Sequence, residues 1–128
     1  MSALSNYAED KVLDHILGTT AFTAPSAVYL GLATQSFTDA NSSVELTGNN
    51  YSRVAVTFDD AASGTADNTS AIEFAAATGS WGSVSHFGLF DASSGGNLLI
   101  HGAFTAAKTI ASGDVLKIDA GDLDISAD

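Results

Sequence analysis

Val84-Ser85-His86-Phe87-Gly88-Leu89-Phe90-Asp91 is the stretch that decides the fold. In an extended chain Phe87 and Leu89 point one way, and Val84, His86 and Phe90 point the other. A strand apolar on both sides is central in its sheet or is covered by another chain. Downstream, Ser93-Ser94-Gly95-Gly96 is a short polar reversal, and it predicts a hairpin onto a second strand over 98–104. Upstream and beyond, the period stays at two. Val28, Leu30 and Leu32 alternate with Tyr29, Gly31 and Ala33, and Val54, Val56 and Phe58 alternate with Arg53, Ala55 and Thr57. Ile72 and Phe74 flank Glu73, Leu116 and Ile118 flank Lys117, and Leu123 and Ile125 flank Asp124.

The N-terminus reads differently. Val12, Leu13, Ile16 and Leu17 form one apolar stripe at helical spacing, Asn6 and Glu9 have the spacing of a capping box, and Gly18 supplies a stop. The expectation is a helix over 6–17 whose stripe covers one end of the strands, with the helix as a candidate contact surface in the alternative. Two polar stretches remain as long loops, 35–50 and 59–70, of the kind that carries binding. The predicted fold is mainly β, an antiparallel β-sandwich or jelly-roll-like domain with one N-terminal amphipathic helix. It forms a single domain over 1–128, with 1–18 helical and 26–126 the sandwich.

Length and charge restrict what such a domain does. At 128 residues and 45% hydrophobic composition, folding buries roughly two-thirds of the unfolded surface. Lys11, Arg53, Lys108 and Lys117 are the only basic residues besides histidine, and the formal charge is −11. Scattered cations on an acidic chain do not bind a phosphate backbone or an anionic membrane, so neither nucleic acid nor lipid is an expected partner. With no cysteine there is no disulfide framework, no thiolate metal site and no thiol nucleophile. No run approaches the ~18 apolar residues of a membrane helix, and no secretory leader opens the chain.

A search for chemistry finds no site. Ser85-His86 is the nearest suggestion of a nucleophile beside a base, but neighbours in a regular strand point to opposite faces and should not touch. His15, His86 and His101 lack ligand spacing. Asp119, Asp122, Asp124 and Asp128 lack the order of a calcium loop and read as a solvated acidic edge. Three Asn-x-Ser/Thr triplets, at Asn41, Asn50 and Asn68, are chance matches in a chain rich in those residues. No catalytic, cofactor or metal residue is assigned, no small-molecule substrate is implied, and the chain is not expected to be an enzyme. Trp81, between glycines, either caps the core or anchors an interface.

Several motifs in order carry a resemblance. They are Tyr7 to Gly18, Val28-Tyr29-Leu30-Gly31-Leu32, Thr47-Gly48-Asn49-Asn50-Tyr51-Ser52-Arg53-Val54-Ala55-Val56, Trp81-Gly82 with Phe87-Gly88-Leu89-Phe90-Asp91-Ala92, and Gly95 to Ala103. From the helix to Gly121 the chain resembles a family of small virion proteins of tailed bacteriophages, labelled either tail-fibre-like or capsid-decorating (cement) proteins. The resemblance implies a structural role in the virion. Between its two locations, compactness and strong negative charge favour capsid decoration: a cement protein, made in the host bacterial cytoplasm, that binds the capsid exterior and stabilises contacts between major capsid proteins. The alternative is a small tail or tail-fibre-associated protein. The expected partners are the major capsid protein and copies of the chain itself, as a dimer or trimer. Leu4, Tyr7, Phe37, Val44, Leu46, Tyr51 and Trp81 are the candidate interface residues, Phe37 foremost because an isolated aromatic in a polar loop lacks an evident core role.

Overall fold

The computed structural model describes residues 2–40 and 42–126. Asn41 of the first polar loop and Asp128 of the acidic tail lie outside the described residues. The elements in chain order are β1 (Ser2–Leu4), α1 (Asn6–Ile16), β2 (Val28–Ala33), β3 (Val54–Val56), β4 (Thr65–Asp67), β5 (Ile72–Glu73), β6 (Gly82–Phe90), β7 (Leu98–Ile110), β8 (Lys117–Ile118) and β9 (Asp124–Ser126). Five of them form one antiparallel sheet in the order β1-β7-β6-β2-β3. The two-faced strand β6 is therefore central, as its apolar residues on both sides require. The predicted hairpin joins it to β7, and Gly95 (φ 63°) and Gly96 (φ 71°) turn the corner in the left-handed region.

One face of the sheet carries Leu30, Leu32, Val56, Phe87 and Leu89, all buried. Against it pack Ile72, Phe74, Leu116, Leu123 and Ile125, contributed by the segments around two separate two-stranded ladders, β4–β9 and β5–β8. The architecture is thus mainly β with one N-terminal helix, and its second layer consists of two short ladders where the sequence suggested a sandwich or jelly roll. Asn68 ties this layer together. Its buried amide donates to the carbonyls of Ser70 and Asp119 and accepts from the Leu123 N–H at 2.9 Å. That triplet is a structural joint, with its side chain fully engaged.

Two local expectations are corrected. Pairing jumps from Val84–Lys108 to His86–Ala103, so β6 and β7 lose strict alternation at Ser85. Val84 consequently joins the Phe87–Leu89 core and not the Phe90 side. The helix cap is Ser5, one residue before the predicted Asn6: Ser5 Oγ accepts from the Ala8 N–H at 3.2 Å, and the hydroxyl also donates to the Leu98 carbonyl. Leu17 is the C-cap and Gly18, at φ 80°, ends the helix as expected.

Candidate functional site

The second face of the sheet is shaped by two glycines. Gly31 and Gly88 are directly opposed across β2 and β6, and without side chains they leave a trough. A Cβ on Gly31 would lie 2.8 Å from the Phe90 ring, and one on Gly88 would lie 2.9 Å from Leu98 and 3.3 Å from Phe37. The chain between β2 and β3 folds back into this space. Phe37, 2% exposed, meets the Phe90 ring edge-on at 6.0 Å, with Ala33, Leu98 and Val44 completing a second small core.

Above that core lies Arg53, the one Lys or Arg among the described residues whose charge is internal. The Arg53 guanidinium stacks 3.6 Å from the Phe90 ring centre and grips Glu45 with two bonds, Nε to Oε2 at 2.8 Å and Nη2 to Oε1 at 2.7 Å. Nη1 donates to the carbonyls of Ala92 and Gly95, which fastens the β6–β7 hairpin to the loop. Tyr51 donates to Glu45 at 2.6 Å and accepts from the Leu32 N–H at 2.9 Å. Burial, first, and the Glu45 carboxylate, second, raise the phenol's pKa far above its ordinary value and keep it protonated. Asp91 receives Asn97 through both its backbone and side-chain N–H. Desolvation opposes its charge, but the Asn97 bonds and nearby Arg53 outweigh this and hold the carboxyl below its usual value.

The candidate contact residues are mostly framework. Phe37 is a correction: the polar loop conceals a core residue, because the glycine trough supplies the pocket that sequence does not show. Trp81 is 5% exposed, edge-on to Tyr51 and Phe74, with its indole N–H donating to the Asn49 carbonyl at 3.0 Å, so it caps the core. Tyr51 belongs to the Glu45–Arg53 cluster, and Val44 and Leu46 pack against the two cores. Leu4 in β1 pairs with Ile100 of β7. Tyr7 is half-buried on the helix with the Lys11 ammonium 5.6 Å from its ring centre.

Three histidines are placed separately. The lost alternation lets Ser85 Oγ reach His86 Nδ1 at 2.7 Å, contrary to the expectation that the two cannot touch. Asp39, however, bonds His101 Nε2 at 2.7 Å, and His15 Nδ1 accepts from the Phe22 N–H at 3.1 Å. A hydrolytic relay requires one imidazole between hydroxyl and carboxylate, and here the two contacts fall on different rings. Among the described residues no three His, Asp or Glu side chains converge as a metal site.

The end of the helix stripe lies on the outside. Leu13 is 54% exposed, and Ile16 and Leu17 are each 71% exposed, so the helix stripe does not cover the strands. Ala8 is the buried helical residue instead. The signal for a stripe was present in the spacing; which body it faces was not.

Comparison with known proteins adds a family. A family model described as podophage GP4 fiber I protein gp80 matches residues 3–126. No curated protein matches the chain.

Proposed function

Because the chain belongs to the podophage GP4 fiber I protein gp80 family and so is a virion structural protein of tailed phages, we propose that it is a small fibre-type module of the tail apparatus. The match over residues 3–126 carries this proposal, since it spans the helix, the central sheet and both short ladders. It weighs toward the tail and away from the capsid exterior, which charge and compactness alone had favoured.

The physical mode is adhesion. Polar groups at the glycine trough are spent on holding the loop: each Arg53 nitrogen and both Glu45 oxygens have partners within the chain. Apolar area left outside, chiefly at the end of α1, is what a neighbouring virion protein or another copy would cover. On this view the chain acts without a cofactor and without turning over a substrate.

Copy number and position test the proposal. Quantitative mass spectrometry of purified virions, with immunogold labelling, should find a few to a few tens of copies clustered at the tail vertex. Hundreds of copies spread over the head would overturn it and restore capsid decoration.

A further inference from the structure

The exposed large hydrophobic side chains of the described residues are Leu13, Ile16, Leu17 and Val115. Three lie on one helix end. The fourth, Val115, directly precedes Leu116, which with Val84, Phe104 and Ile118 makes the apolar lining of a shallow groove between β7 and β8 flanked by Lys108 and Lys117. The hollow at its centre measures about 50 Å³. At roughly 10–15 Å³ for each water-sized group, it takes about four heavy atoms, the size of a leucine side chain.

Charge identifies an occupant. A chain at −11 repels its own copies, so a contact between copies is favoured where it brings cations to the seam. Arg53 is internal and Lys11 lies over the Tyr7 ring. That leaves Lys108 and Lys117, and both border this groove. Lys108 forms no ion pair among the described residues, and Lys117 has only a loose, exposed one, 3.9 Å from Asp119. The helix stripe is the matching piece: Glu9 and Asp10 stand one turn before Leu13, and both are exposed.

We propose that the end of α1 from one copy docks in the β7–β8 groove of the next, Leu13, Ile16 and Leu17 against the apolar floor and Glu9 and Asp10 toward Lys108 and Lys117. The contact is heterologous, joining different surfaces of the two copies, so it propagates, into a ring where the rotation closes and into an open filament where it does not. It goes beyond the tail assignment and does not depend on it, since either virion location accommodates it. A single helix turn in a groove is small for an interface, so a lone contact is weak and is strengthened by closure or by anchoring on the particle.

Native mass spectrometry and sedimentation velocity on the full chain test this. The wild type should self-associate in a concentration-dependent way, weakened by salt. A helix variant (Leu13→Gln with Ile16→Gln) and a groove variant (Lys108→Glu with Lys117→Glu) should each lose association more than tenfold while keeping the wild-type circular dichroism spectrum. Mixed together, they should form a one-to-one complex, because the intact groove of the first meets the intact helix of the second. A wild type that stays monomeric at millimolar concentration overturns the proposal. So does a mixture that yields no heterodimer, the result expected if helix stripes pair with each other. Groove variants that associate as the wild type does also overturn it.

Discussion

The loop between β2 and β3 and the helix before it invert what their sequences suggest. The loop is polar and holds a buried Phe37 and a nearly enclosed ion pair, with the Arg53 and Glu45 side chains 8% and 17% exposed. The helix has the more regular apolar stripe and leaves it in solvent. The difference teaches where folding used its apolar surface. Two opposed glycines created space on the sheet that a single aromatic could fill, whereas α1 is fixed near its start by the Ser5 cap, the Asn6 N–H bond to the Asp39 carbonyl and buried Ala8. Surface that folding leaves uncovered is surface available to a neighbour.

The comparison breaks most visibly at Phe37 and Arg53. Phe37→Ala should cost ~3–5 kcal/mol in a urea denaturation curve if the ring is core. A change near zero would return Phe37 to the surface. Arg53→Ala should cost a similar ~3–5 kcal/mol, because it strands the Glu45 carboxylate along with two hairpin carbonyls. Next in size is Gly88→Ala, for which crowding against Leu98 and Phe90 predicts a loss of ~1–3 kcal/mol.

A smaller effect separates the two faces by pH. Asp67 sits opposite Asp124 in the β4–β9 ladder, and its hydrogen bond to Asp124, followed by desolvation and by the charges of Asp124 and Asp59, raises its pKa. A raised carboxyl binds its proton in the folded chain at pH values where the unfolded chain has released it. Stability from this pair therefore falls as pH rises from about 3.8 through the raised value. Asp91 has the opposite sign: its contribution is full above the ordinary carboxylate value and fades as pH falls through its lowered one. Melting temperatures against pH should show Asp67→Asn raising stability at neutral pH, and Asp91→Asn lowering it there. The smallest change in stability is expected on the helix, where Leu13→Gln with Ile16→Gln should stay within ~0.5 kcal/mol of wild type. A larger loss would mean the stripe packs on its own chain.

Much of the sheet was legible because β6 carries apolar residues on both of its faces, and because β2 alternates Val28, Leu30 and Leu32 with Tyr29, Gly31 and Ala33, although the burial of its second face did not show. The strands β1 and β4 were not, since Ser-Ala-Leu and Thr-Ala-Asp are too short to show a period. The contact between Ser85 and His86 was hidden for another reason: a register defect depends on the partner strand, which local spacing does not encode. Glu45 and Arg53 belong to no shared repeat, so only the fold brings them together. The helix stripe was visible, but amphipathicity states that one side seeks cover without stating whose.

Hydroxyl-radical footprinting of the free chain and of intact virions addresses that directly. Oxidation of Leu13, Ile16 and Leu17 should drop sharply on the particle, while Phe37 stays protected in both states. Equal oxidation of the three helix residues on and off the virion would contradict the account, because the surface it assigns to adhesion would then be touching nothing.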